Sequence, residues 1–359
     1  MARSLPSLPP PSGRSRPGRG TPLNPASRFD PLDVEPEPGS EVDQPSTATR
    51  FFRDASRSVL VHNDSPDVGA SVGLNPYRGC EHGCVYCFAR PNHEYLGFSA
   101  GLDFESRIMV KHRAPELLRE QLRRPGWTPR TIMLSGATDP WQPVERRLRV
   151  TRRCLEVFAE ARHPVGVITK NDGVVRDLDL LLSLAEHDAV AVTLSITTLR
   201  RDLQKVMEPR TSTPRARLTA IRTLAEAGIP VGVNLAPVIP GLTDEEIPAI
   251  LEAAREAGAQ WAGYILLRLP HGVSDLFEDW LQAWYPDRRD RVLNRLREVY
   301  GGKLYDATYG VRGRGRGVFA DQLRALFRTT ASRLGYVPPP ELNTKAFRRP
   351  APEGQLTLF

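Results

Sequence analysis

The stretch Pro164-Val165-Gly166-Val167-Ile168-Thr169-Lys170, then Asp177–Glu186, then Ala189-Val190-Ala191-Val192-Thr193-Leu194-Ser195-Ile196, decides the fold. Two short β-branched runs flank a segment of helical period, and such runs read as strands buried on both faces. The same texture continues outward in both directions. Thr131–Ser135, Pro230–Leu235 and Trp261–Leu267 read as further buried strands, with a sixth at Val72–Asn75. Helical patterns fill the gaps at Ala114–Arg123, Thr151–Ala161, Pro214–Ala227 and Asp244–Ala257. Gly228 and Pro230 stop one of these helices, and Thr243-Asp244-Glu245-Glu246 starts the next with a cap and an acidic first turn. Strand–helix units repeating roughly every 30 residues imply an α/β fold with a parallel sheet, either fully open or an incomplete barrel. In both, a ligand site is expected at the C-terminal ends of the strands.

The chain has 359 residues, 40% of them hydrophobic and 25% charged, which is ordinary soluble composition. That length suits one large domain with appendages. No apolar run reaches the ~18 residues of a membrane span, and the start has no apolar core of a secretory signal. Residues 1–50 are rich in Pro, Ser, Arg and Gly and show no apolar period, so they read as a disordered tail. Residues 70–270 carry the alternating core. Residues 271–336 form a helical and basic extension, with helices at Leu276–Trp284, Arg289–Tyr300 and Ala320–Leu334, and 337–359 a proline-rich tail. The formal charge of +7 leans toward anionic partners, although a scattered basic surface accounts for it equally.

Three of the four cysteines fall in Asn75-Pro76-Tyr77-Arg78-Gly79-Cys80-Glu81-His82-Gly83-Cys84-Val85-Tyr86-Cys87. A disulfide framework would spread its cysteines, so a reducing, cytoplasmic setting is expected. Thiolates at C-x3-C-x2-C spacing can wrap one small metal centre, and with three ligands a four-iron cluster keeps one iron open for chemistry. Zinc held by the three thiolates and His82 or His93 is the alternative at this point. Cys154, the remaining cysteine, sits in a helical pattern as a small core residue.

This spacing, with Tyr86 just before the last cysteine, resembles the signature of the radical S-adenosylmethionine superfamily. The resemblance implies a partial (β/α)6 TIM-like barrel, a [4Fe–4S] cluster on Cys80, Cys84 and Cys87, and S-adenosylmethionine bound to the open iron. Reductive cleavage of that cofactor would yield a 5′-deoxyadenosyl radical, the electron coming from a donor such as flavodoxin or ferredoxin. The stretch Asn75–Lys111 and the later motifs, from about residue 70 to 325, resemble the branch that contains spore photoproduct lyase, and within it a bacterial subgroup distinct from the lyase. By that resemblance Tyr86 lies near the adenine, as does Ile239-Pro240-Gly241. Thr138 and Asp139 lie at the amino group, and Lys170 and Ser195 at the carboxylate. Glu208, Arg210 and Arg217 flank the fourth helix, where an Arg–Glu pair is more often structural. The lyase carries a hydrogen-donating cysteine after its second strand. Here Gly136-Ala137-Thr138 offers no thiol, so repair of spore photoproduct by that route is not expected.

Three features point toward nucleic acid. Arg268 ends the sixth strand and could meet an anion. Val311-Arg312-Gly313-Arg314-Gly315-Arg316-Gly317 sets arginines among glycines, a pattern that suits phosphates or merely a solvated loop. Gln355-Leu356-Thr357-Leu358-Phe359 resembles the peptide by which bacterial repair proteins dock on the polymerase sliding clamp. The expected substrate class is therefore nucleic acid, a damaged base in DNA being one such substrate. A radical modifier of RNA or protein is the alternative within the enzyme class, and a zinc-stabilised, clamp-associated binding protein is the alternative outside it.

Overall fold

Six parallel strands lie side by side in the order in which the chain makes them. They are β1 (Val72–Leu74), β2 (Ile132–Leu134), β3 (Val165–Thr169), β4 (Val190–Ser195), β5 (Val231–Val238) and β6 (Trp261–Leu266). Leu60–His62 adds an antiparallel strand outside β1. The structure is a computed structural model and describes residues 18–29, 48–67 and 71–351. Among the described residues the sheet is not closed, since β6 forms one edge and Leu60–His62 the other.

Helices α1 (Ala114–Arg123), α2 (Val150–Ala161), α3 (Leu178–Ala185), α4 (Pro214–Glu226) and α5 (Ile247–Glu256) connect successive strands. Their apolar faces cover the sheet: Leu118 and Leu122 of α1, Leu155 and Phe158 of α2, and Leu251 of α5 are all buried with Val167, Val192 and Val233 in one core. The helix-facing residues of the strands are therefore apolar, and β3, buried at four of its five positions, reads as a continuous apolar run. Thr213 caps α4 by accepting a hydrogen bond from the Ala216 N–H at 3.2 Å, with Pro214 at the first turn. Helices α6 (Val273–Trp284), α7 (Pro286–Val299) and α8 (Val318–Arg333) make the C-terminal extension, with α8 packed on α5. Among the described residues no helix is long and apolar enough to cross a membrane.

A second, three-stranded sheet escapes the sequence pattern. Arg50–Arg53 runs parallel to Arg107–Val110, which pairs antiparallel with Tyr77–Arg78. These strands are too short for a period to show, and long-range pairing rather than local pattern makes them. The tail reading also needs amendment. Within 1–50, residues 18–29 hold defined contacts: Leu102 N–H donates to Leu23 O at 2.7 Å, and the Asn24 side chain pairs with both the backbone and carboxylate of Asp103. At the other end, 337–351 crosses beneath the strands. Val337, Asn343 and Arg348 donate backbone N–H groups to Gln260, Asp188 and Ala161, residues that precede strands or close α2. The Gln355–Phe359 peptide lies outside the described residues.

Candidate active site at the strand C-termini

The cysteine loop leaves β1 and folds back across the C-terminal ends of the strands. Cys80 N–H donates to Phe104 O at 2.9 Å, and Val85 N–H to Met207 O at 3.1 Å, so the loop is pinned on two sides. Arg90, fully buried, donates to Cys84 O at 3.0 Å and Gly101 O at 2.8 Å and is ion-paired with Glu105. Residue 20 reaches the loop from the N-terminal segment: Gly20 N–H donates to Glu105 Oε2 at 2.9 Å. A side chain there would place its Cβ 1.8 Å from Gly83 O, so only glycine allows the contact.

Cys80 and Cys84 are buried and Cys87 nearly so, and all three thiols are free. Burial pushes each thiol above its ordinary range. The field of Asp139 adds to this at Cys80 and that of Glu208 at Cys84, while Arg90 opposes it at Cys87. Cys80 lies within electrostatic reach of both other thiols. Three coupled soft donors that resist ionisation in isolation fit a cationic iron–sulfur centre, which holds them as thiolates. Among the described residues no three His, Cys, Asp or Glu side chains converge on a single metal ion. Cys154, fully buried in α2, sits in the core with Leu155 and Phe158.

Behind the loop lies a buried polar hub centred on Glu208. Its Oε1 accepts from the Thr197 hydroxyl at 2.7 Å and faces Lys170 Nζ at 3.1 Å, while the Tyr86 hydroxyl also donates to it. Its Oε2 is ion-paired with Arg217, whose Nη1 donates to Ser195 O at 2.8 Å and Nη2 to Thr211 Oγ1 at 2.6 Å. Lys170 Nζ also donates to Ala236 O at 2.7 Å and sits 5.6 Å from the Tyr86 ring centre. Burial alone would raise the Glu208 carboxyl, but Arg217, then Lys170 and the Tyr86 hydroxyl, hold it well below the usual carboxylate range. Burial, then the fields of Cys84 and Glu208, push the Tyr86 phenol far up, so its hydroxyl remains a donor.

The structure thus draws Cys84, Tyr86, Lys170 and Ser195 into one place. It ties Thr138 and Asp139 to the same loop differently. Asn75 Oδ1 accepts from Ala137 and Thr138 N–H, and Thr138 Oγ1 donates to Tyr77 O at 3.3 Å. Asp139 accepts from Trp141 N–H at 2.9 Å, Thr169 Oγ1 at 2.7 Å and Lys170 N–H at 2.7 Å, and lies 3.5 Å from His82 Nδ1. It therefore buckles the ends of β2 and β3 to the cysteine loop. Ser135, at the end of β2, has φ of 139°, a costly conformation that lets the chain turn into this loop. From β5 the residue that joins the hub is Ala236. Ile239 is buried and Gly241 packs against Arg291 and Val292 of α7. Sequence reasoning missed Thr197 and Thr211, for which an isolated threonine gives no signal.

An open sheet of six parallel strands, with a three-cysteine loop and a buried, charged hub at its strand ends, is the architecture of a half-barrel α/β protein. The family model for the Radical SAM superfamily matches residues 74–254, and the chain belongs to that superfamily, a class of enzymes built on a [4Fe–4S] cluster and S-adenosylmethionine. An uncharacterized protein of Mycobacterium tuberculosis is 37% identical over 229 residues, 63% of this chain and 66% of its own. The chain thus spans a little under two thirds of that relative. An uncharacterized protein of Methanocaldococcus jannaschii is 27% identical over 227 residues, 63% of this chain and 81% of its own. Among solved structures, spore photoproduct lyase with bound AdoMet and dinucleoside spore photoproduct matches with a TM-score of 0.56 at 17% identity over 80% of each chain, a likeness of fold.

Proposed function

We propose that the chain holds a [4Fe–4S] cluster on Cys80, Cys84 and Cys87, cleaves S-adenosylmethionine reductively, and acts on nucleic acid. The observation that carries this reading is the Glu208 hub directly behind the cysteine loop, reaching Cys84 through Tyr86. When bound, the reduced cluster supplies the electron that breaks a carbon–sulfur bond of the cofactor and releases a 5′-deoxyadenosyl radical. The protein's part is binding and orientation. Lys170, its side chain still 16% exposed, is the hub's outward cation and presents a charge to the cofactor carboxylate beside Ser195. Glu208 and Arg217 hold that cation in place, Tyr86 stands toward the adenine, and Thr138 toward the amino group. Asp139 keeps the strand ends and the cysteine loop in register.

Support for a nucleic-acid substrate comes from the fold shared with an enzyme solved with a dinucleoside spore photoproduct, and from the arginines on the β6 side. Direct reversal of spore photoproduct is not the reaction proposed. Cys154, the one cysteine outside the loop, is fully buried in the core and cannot return hydrogen at the barrel mouth. Free thiols and an oxygen-sensitive cluster suit the reducing cytoplasm, with a flavodoxin or ferredoxin as electron donor.

The test is anaerobic: reconstitute the cluster, add dithionite and S-adenosylmethionine, and quantify 5′-deoxyadenosine with and without single-stranded DNA or RNA. Product that disappears in Cys80→Ala, Cys84→Ala and Cys87→Ala, and rises with nucleic acid, is expected. A brown, fully loaded protein that yields none under any condition sinks the proposal.

A further inference from the structure

The β6 side of the barrel mouth carries a run of arginines and aromatic rings that the cofactor hub does not use. Phe88 follows the last cysteine, and its ring is 43% exposed. The guanidinium of Arg268, two residues past β6, stacks 4.5 Å above that ring, and its Nε is buried with no hydrogen-bond partner. Next along the rim comes the glycine–arginine loop. It is docked rather than solvated: Leu266 N–H donates to Gly313 O at 2.9 Å, and the Tyr300 hydroxyl bridges Leu267 O and Arg312 O. Arg312 in turn lies 4.5 Å over the Tyr309 ring, which is 52% exposed.

The two edges of the open sheet meet at this loop. Asp67, from the connection between Leu60–His62 and β1, accepts from Gly310 N–H at 2.8 Å and pairs with Arg312 Nε at 2.6 Å, while Arg312 also donates to the Ser65 hydroxyl. Arg268 acts on the same carboxylate through its field. An acceptor oxygen pair held by one backbone N–H and one guanidinium is the arrangement a phosphate takes. Asp67 thus occupies the position of an anion at the open side of the barrel.

We infer that Phe88, Arg268, Tyr309 and Arg312 form a binding strip for a single-stranded or extruded nucleotide segment of DNA or RNA, in which bases stack on the two rings and a phosphate displaces Asp67 from Arg312. Stacking on aromatics with arginines tracking the backbone is how strands are held without sequence reading. The strip leads from the rim to the residue beside Cys87, so a base at Phe88 lies next to the cofactor. This inference rests on the nucleic-acid reading above and names the residues that serve it.

The experiment is fluorescence anisotropy with the reconstituted full-length protein and labelled single-stranded DNA and RNA of about 16 nucleotides, each against its duplex. No reductant or S-adenosylmethionine is added, so failure of binding and failure of cofactor cleavage are read separately. Single strands should bind tighter than duplex. Phe88→Leu, Arg268→Met and Tyr309→Leu should each weaken binding about tenfold, the size expected for one stacked base. Tyr309 is remote in sequence from the cysteines, so its variant reports even where Phe88→Leu loses the cluster. Arg312→Gln should lower the salt dependence by about 0.7 in log–log slope. Asp67→Asn should strengthen binding severalfold, because it removes the competing anion. Preference for RNA over DNA, or the reverse, supports the strip and identifies whether the 2′-hydroxyl is read. Duplex bound as tightly as single strand, ring variants with unchanged affinity, or weaker binding by Asp67→Asn would overturn it.

Discussion

The two sides of one barrel mouth are built by opposite rules. On the β1–β4 side the Glu208 hub is buried and paired: Glu208 and Arg217 are at most 1% exposed, and each of their charged atoms has a partner within the protein. On the β6 side, Arg268 keeps a buried nitrogen without a partner and Phe88 and Tyr309 show open rings. A site that must hold the same small cofactor every turnover gains from fixed dipoles and charges that need no rearrangement. A site that takes a flexible polymer gains from rings and arginines that tolerate different bases. The difference in pairing is what the proposed division between a cofactor side and a substrate side predicts.

The sharpest way to break that comparison is Glu208→Gln. Removing the carboxylate charge leaves Arg217 buried and Lys170 without its counter-ion, and breaking a buried pair costs about 3–5 kcal/mol. Urea unfolding of the variant should show a loss of that size, and 5′-deoxyadenosine formation should fall by more than the stability loss explains. Asp67→Asn on the opposite rim should shift the unfolding midpoint far less, since its pair with Arg312 is partly exposed at the surface and such pairs contribute little. Equal effects at both positions would dissolve the distinction between the two sides.

Lys170→Met sharpens it on the cofactor side. Lys170 is held in place by Glu208, Thr197 and Ala236, and its side chain, 16% exposed, is the least buried of the hub's three charged groups. Loss of one charged contact, about 1.5–3 kcal/mol, corresponds to a KM for S-adenosylmethionine raised roughly 10- to 100-fold. Initial-rate measurements over a range of cofactor concentration decide it: an unchanged KM with lower kcat would move Lys170 from binding to some later step.

Much of this was legible in the chain itself, and the reasons for the remainder are physical. Buried parallel strands have no polar face, so β3 emerges from the apolar run within Pro164–Lys170, while α1 emerges from an amphipathic period with the bounds the pattern predicts, Ala114–Arg123. Lys170 and Ser195 stood out because strand ends are where such folds bind. The Glu208–Arg217 pair was readable as a pair, but not as a neighbour of Lys170, because only the packed barrel brings the end of β3 to the start of α4. Asp139 shows what packing adds: the resemblance sets it at the amino group, and only the folded chain brings Trp141, Thr169 and Lys170 to its carboxylate. Arg50–Arg53 is exposed throughout and has no apolar pattern to announce it.

The smallest effect belongs to the N-terminal segment, which lies on the paired side and extends its rule outward. Gly20 rests on Gly83, between two of the cluster cysteines, and Arg19 and Gly20 donate to Glu105, the partner of Arg90. Gly20→Val forces a side chain into Gly83 O, and overpacking of this kind costs about 1–3 kcal/mol. The relief expected is for residues 18–29 to lift away, since their contacts fall mainly on residues 94–105, outside the barrel strands, and their loss leaves the barrel intact. Global unfolding should therefore shift little, while the visible absorption of the reconstituted protein should bleach severalfold faster in air. Bleaching at the parent rate would show that residues 18–29 only rest on the loop and do not shield it, and the paired side would then end at the cysteines.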